Sequence, residues 1–116
     1  MHIPQDGCLL RIFIGENDRW HGQPLYEAIV LKARELHLAG ATVLRGPMGF
    51  GASSRVHTAK ILRLSEDLPM VIEIVDAKEK IDALLPHLDQ MVTEGLVTLE
   101  RVQVIKYRGR DKPGPG

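Results

Sequence analysis

Residues 45–51 read Arg-Gly-Pro-Met-Gly-Phe-Gly and bring a guanidinium, three glycines and two large apolar side chains into one short run. Glycine lets backbone N–H groups close around an anion as a concave nest. Arg45 could add a bidentate contact to a phosphate, and Met48 and Phe50 could cover a flat ring. The same residues also suit a hairpin tip with Phe50 tucked against a neighbouring subunit, and both readings stand at this point. A Walker loop is excluded, because no Gly-Lys-Ser/Thr follows and the segment leads out of one strand toward another.

Other side chains offer chemistry in smaller pieces. Lys106 and Arg108 are two positions apart, which places them on one face of an expected last strand. That suits phosphate binding across an interface, and it equally suits edge charges that discourage aggregation. Glu73 interrupts an apolar run; it could accept from a ligand, or pair across the sheet with Arg11 or Arg45. Glu16 is a second carboxylate beside a strand. His2, His21, His37, His57 and His87 share no helix-face spacing and have no Cys/Asp cluster beside them, so no metal centre is expected. Cys8 is the one cysteine, which excludes an internal disulfide framework; with no visible base or oxyanion partner it reads as structural. Glu66-Asp67 falls in a turn and reads as solvated rather than catalytic.

These groups need elements to position them. Leu9–Ile14 alternates, with Leu10, Ile12 and Ile14 on one face and Leu9, Arg11 and Phe13 on the other, and predicts a strand. Leu25, Ile29, Ala33 and Leu36 form a helical stripe, so a helix is expected from about Pro24 to Leu38, stopped by Gly40. Ala41–Arg45 is a second strand, opening into the glycine-rich loop. Ile61–Leu64 is either a short strand or a turn. Met70–Val75 is apolar at both parities and predicts a central strand covered on both faces. Asp76-Ala77-Lys78-Glu79 resembles a capping box with Asp76 as N-cap. Ile81, Leu84, Leu85 and Leu88 continue as an amphipathic helix, which Pro86 should kink or end early. Leu96–Tyr107 is the last strand, and its slipping parity calls for a β-bulge near Glu100-Arg101.

The order β-α-β-β-α-β, closed by right-handed crossovers, gives an α+β ferredoxin-like βαββαβ sandwich: a four-stranded antiparallel sheet with two helices on one face. Phe13, Val43, Val71 and Val75 are candidates for the face without helices, where contiguous apolar area points to a homo-oligomer. Domain boundaries follow: residues 1–7 a flexible N-terminus, 8–108 the folded domain, and 109–116 a disordered tail with two prolines and three glycines.

Composition narrows the function. The chain has 116 residues, with 15 basic and 15 acidic side chains and 4% aromatics. Zero net charge and few aromatics argue against binding nucleic acid. No apolar run reaches the ~18–20 residues of a membrane span, and Met1–Asp6 lacks a secretory pattern, so a cytoplasmic protein is expected with no direct membrane insertion.

Several segments together carry a resemblance. They are Arg11-Ile12-Phe13-Ile14-Gly15-Glu16, Gly40–Gly46, Met48-Gly49-Phe50-Gly51, Leu64–Pro69 and Val71–Asp76. Over about residues 8–107 the chain resembles the PII-like family known as domain of unknown function 190, relatives of PII nitrogen-regulatory signalling proteins. The resemblance implies a PII-like trimer with no catalytic residues and no required cofactor. It also implies adenine nucleotide (AMP, ADP or ATP) in clefts between neighbouring subunits. On this chain the implied first wall is Arg45, Gly46, Met48, Gly49, Phe50 and Gly51. The second is Thr93, Glu94, Gly95 and Leu96, with Lys106 and Arg108; Glu73 would accept from the adenine amino group or a ribose hydroxyl. The PII phosphate turn is richer in glycine and is followed by a lysine. Thr93–Leu96 has one glycine and no lysine, which favours AMP or ADP over a triphosphate. Residues 46–60 also lack the tyrosine that some PII proteins uridylylate.

The function that follows is non-catalytic signalling, with the 47–60 loop presented to a partner protein. The resemblance points to a membrane transport protein as that partner, since family members often lie beside genes for fluoride-export channels. Two alternatives remain at this stage. One is a hydrolase of acylphosphatase type, which shares the element order and would use Asn17 and Arg19. The other is a purely structural trimer.

Overall fold

A computed structural model describes residues 6–47 and 67–109. The order is β1 (Asp6–Gly15), β2 (Arg19–Trp20), β3 (Gln23–Pro24), α1 (Leu25–Glu35), β4 (Thr42–Arg45), β5 (Pro69–Asp76), α2 (Lys78–Met91) and β6 (Leu96–Gln103). β4, β5, β1 and β6 form one antiparallel sheet in that order, and β2 and β3 form a separate small hairpin. This is the expected ferredoxin-like arrangement. β1 begins two residues before the boundary expected at residue 8.

The core explains the arrangement. Leu10, Ile12 and Ile14 of β1 and Met70, Ile72 and Ile74 of β5 point to the helix side, where Leu25, Ala28, Ile29 and Ala33 of α1 and Ile81, Leu84, Leu88 and Met91 of α2 close over them. Burying such side chains is worth roughly 1.5–3 kcal/mol each, so a one-residue slip of either central strand would expose the whole set.

Several expectations are corrected. α1 ends before Gly40: His37 takes φ 63°, the His37 N–H donates to the Arg34 carbonyl and the Leu38 N–H to the Ala33 carbonyl. This is a Schellman closure with histidine in the left-handed position usually given to glycine, and Leu38 packs back as a buried residue. Asp76 is not the N-cap of α2. That position is Ala77, with no side-chain cap, and the Asp76 carboxylate accepts the Ala77 N–H at 2.7 Å and the Ala39 N–H at 2.8 Å. Pro86 does not end α2, which runs on to Met91. The carbonyl freed by the missing N–H is that of exposed Asp82.

The sheet differs in further ways. Val43 lies opposite Ile72 and joins the helix-side core, so Leu44, opposite Val71, is the residue on the open face. β5 is central as expected; within one chain its helix side is buried, and Val71, Glu73 and Val75 on the other face are half-buried. β6 pairs with β1 in unbroken register from Asp6↔Gln103 to Phe13↔Leu96, with no bulge. The two apolar parities serve different surfaces. Val97 and Leu99 face the helix side opposite Ile12 and Leu10, whereas Val102 lies on the open face opposite Gly7. The strand stops at Gln103, and Val104 leaves the ladder to sit on Gly7. A Cβ on Gly7 would lie 3.2 Å from Val104 Cγ2 and 3.3 Å from the Asp76 carbonyl oxygen, so the crossing depends on glycine there.

Expectations for Met48–Gly51 and Ile61–Leu64 lie outside the described residues, as does the expected tail apart from Gly109.

Candidate functional site

After Gln103 the chain crosses the open face of its own sheet and, with β1, β4 and β5, walls a hollow of about 720 Å³. Its apolar lining includes Leu9, Val75, Val102, Val104 and Ile105, and its polar groups come from Thr42, Glu73, Gln103, Lys106 and Tyr107. One wall is formed by Ala39, Gly40 and Ala41. The buried Asp76 carboxylate anchors that wall through the Ala39 N–H. Apolar surfaces with a few convergent polar groups are the usual make-up of a small-molecule site.

Register assembles the polar part. Thr42, Glu73, Arg11 and Thr98 lie side by side on the open face, one from each strand. Arg11 bridges two carboxylates, with Nε 2.8 Å from Glu73 Oε2 and Nη1 2.8 Å from Glu100 Oε1. Hydrogen bonding to Glu73 is the main cause that raises the Arg11 pKa above its ordinary value, so the guanidinium stays charged and Glu73 keeps a fixed direction. This is one of the cross-sheet pairings expected for Glu73. Arg11 holds Glu73 through Oε2, and Glu73 lines the hollow.

The other end of the sheet is built differently. Arg45 closes β4 opposite Met70 and its Nη1 lies 2.8 Å from Glu16 Oε2, with Arg45 59% and Glu16 24% exposed. The Gly46 N–H donates to the Pro69 carbonyl at 2.8 Å and the Glu16 N–H to the Leu68 carbonyl at 2.7 Å. Both feet of the β4–β5 connection are thus tied beside residue 16. Gly95 opens the approach to β6, and a Cβ there would lie 2.6 Å from the Phe13 carbonyl oxygen at φ 155°. Only glycine lets this turn approach β1 so closely.

One chain therefore divides the residues expected to act together. Glu73 and Lys106 both line the hollow. Arg45 and Gly46 stand at the opposite end of β4, three residues and roughly 10 Å from Thr42. Thr93, Glu94, Gly95 and Leu96 are at that same end but on the far edge of the sheet, three strand spacings or about 14 Å from β4. Lys106 and Arg108 are not on the last strand, which ends at Gln103 once pairing with Asp6 is complete. Arg108 is exposed and does not line the hollow. Met48, Gly49, Phe50 and Gly51 lie outside the described residues. Sequence reasoning missed Thr42, Tyr107 and the Ala39–Ala41 wall. Thr42 could have been found by placing β4 against β5, which sets it opposite Glu73.

The turn after β1 does not form an anion cradle of the acylphosphatase kind. The Gly15 N–H donates to Asp18 Oδ2, the Asn17 N–H to Asp67 Oδ1, and Arg19 Nη2 to the Gly22 carbonyl. Carboxylates already take the amides that an anion would require. Among the described residues no cluster of three or more metal-ligating side chains occurs, and no described helix is long and apolar enough to cross a membrane.

Comparison with known proteins gives the family. The pattern of DUF190, described as Uncharacterized ACR, COG1993, matches residues 7–104. A UPF0166 protein of Aquifex aeolicus (strain VF5) is 40% identical over 97 residues, covering 84% of this chain and 91% of the relative. UPF0166 protein MJ1524 of Methanocaldococcus jannaschii is 34% identical over 99 residues, covering 84% and 91%. Among solved structures, the nitrogen regulatory PII-like protein CPII from Thiomonas intermedia K12, bound to ADP, AMP and bicarbonate, superposes with a TM-score of 0.67. It is 16% identical, with 87% of this chain and 90% of that one covered. A putative PII-like signaling protein (TTHA0516) from Thermus thermophilus gives a TM-score of 0.61 at 17% identity, covering 86% and 90%. The chain belongs to the DUF190 family, and its fold is that of the PII-like proteins.

Proposed function

We propose that the chain is a non-catalytic regulatory protein that binds an adenine nucleotide, AMP or ADP in preference to ATP, in clefts between copies of itself. Each cleft takes the hollow of one copy and the Arg45–Gly46 end of the next. The observation that carries this reading is the division of the site: groups suited to one anionic ligand occupy two separate places on a single chain. A row of apolar side chains, Leu44, Val71, Phe13 and Leu96, crosses all four strands of the open face beside them. Leu44 and Leu96 are 50% and 55% exposed, and an uncovered row of this kind favours packing against another copy. The PII-like CPII bound to ADP and AMP supports the choice of ligand.

In this reading three copies pack their open faces together. Thr42 and Glu73 address the base and ribose, Lys106 and a neighbour's Arg45 address the phosphate, and the Thr93–Leu96 turn, on the other edge of the sheet, closes the cleft from a separate side. Arg108 lies near enough in sequence to join Lys106 once a neighbour is present. Met48, Gly49, Phe50 and Gly51 complete the wall that begins at Arg45, and the 47–60 loop meets a cytoplasmic or membrane-transport partner. Nucleotide regulates through different affinities for different arrangements of that loop. Calorimetric titration with AMP, ADP and ATP tests the ligand, with saturable heat expected for AMP or ADP. Absence of heat and of thermal shift with all three would overturn the reading.

A further inference from the structure

Arg45 has two uses that conflict. The nucleotide reading, on which this inference rests, gives its guanidinium to a phosphate. In this structure Glu16 holds the same group at 2.8 Å. A phosphate arriving there would meet the Glu16 charge at close range, and two anions sharing one exposed guanidinium repel each other. We propose that Glu16 and the ligand phosphate compete for Arg45, so that Glu16 sets the affinity of the site and couples its occupancy to the feet of the β4–β5 connection.

The coupling follows from the hydrogen bonds. Residue 16 grips the β5 foot through its backbone N–H on the Leu68 carbonyl. It grips the β4 foot through its carboxylate on Arg45. A phosphate that takes Arg45 breaks the second grip and leaves the first, so the β4 foot loses its tie to residue 16 and keeps the Gly46 N–H bond to the Pro69 carbonyl, which is the bond left to report the loosening. By linkage, whatever draws the β4 foot away from Glu16 tightens the nucleotide by the same factor.

The test is calorimetric titration of AMP and ADP into the full chain and into Glu16→Gln, Arg45→Ala and the double variant. Glu16→Gln keeps the shape and removes the charge. It should tighten binding about two- to fivefold, the range an exposed ion pair supports. Arg45→Ala should weaken it about tenfold. Adding Glu16→Gln to Arg45→Ala should then bring no gain. Hydrogen exchange at the Gly46 amide should rise when AMP binds the unmodified chain. Weaker or unchanged binding by Glu16→Gln would overturn the competition while leaving the nucleotide reading intact. Unchanged exchange at Gly46 would overturn the coupling. Absence of binding by the unmodified chain would remove both the reading and the inference.

Discussion

The two ends of the sheet are held by different forces. At the hollow, a buried carboxylate, Asp76, fastens the α1–β4 wall through the Ala39 N–H and the start of α2 through the Ala77 N–H, and Val104 packs on a glycine that leaves it room. At the Arg45 end, an exposed ion pair and two backbone hydrogen bonds tie the feet of a long connection. Buried, charge-assisted hydrogen bonds are worth roughly 1.5–3 kcal/mol, whereas exposed ion pairs contribute about 0–1 kcal/mol. The first end is built to keep its shape and the second to exchange partners. A ligand that bridges them would read a fixed surface on one copy and an adjustable one on the next.

The contrast can be broken from either side. The largest effect is expected from Leu44→Asp. Leu44 is half exposed on an edge strand, so the chain should still fold, but a charge placed in the open-face contact should weaken self-association by ~100-fold or more. Sedimentation velocity reads this directly, and unchanged assembly would remove the open face from the interface. Asp76→Ala comes next. It leaves two backbone N–H groups without their acceptor, and urea unfolding should show a loss of about 2–3 kcal/mol. A loss below about 0.5 kcal/mol would mean that the wall does not depend on Asp76.

Lys106→Ala should leave the unfolding midpoint unchanged and weaken AMP about tenfold, as expected when one charge-assisted contact is removed. A fall in stability with no change in affinity would make Lys106 a structural residue. The smallest effect is expected from Arg11→Ala. The Glu73–Arg11–Glu100 bridge is partly exposed, so the urea unfolding midpoint should move only slightly. A large shift would show that the polar row is buried in the assembly.

How far these features were legible in the sequence depends on how many forces acted at each position. β1 was readable because one face must be buried, and only one parity of Leu9–Ile14 satisfies that. Both helices were readable from their stripes, and the need of Glu73 for a basic partner from its interruption of an apolar run; the choice of Arg11 over Arg45 is made by the β1–β5 register. β4 was ambiguous, because Val43 and Leu44 are adjacent and both apolar; only pairing with Ile72 and Val71 decides which faces the helices. The end of α1 was misplaced because left-handed backbone at His37 costs more than at a glycine. Burial of Leu38 offsets that cost, and it is a tertiary effect. Asp76 looked like a helix cap because local spacing cannot reveal a long-range partner such as the Ala39 N–H, which arrives from 37 positions away. The end of β6 was hidden because Val104 keeps the strand's apolar pattern while packing on Gly7 from above.

The most direct measurement is a mixing experiment on assembled protein. Arg45→Ala and Lys106→Ala each damage one half of the proposed cleft, and chains carrying either change alone should bind AMP weakly. When the two are co-expressed in equal amounts, about a quarter of the clefts in a mixed symmetric assembly combine two intact halves. Titration should then recover that fraction of sites at unmodified affinity. Mixed assemblies that bind no better than either parent would contradict a site shared between copies.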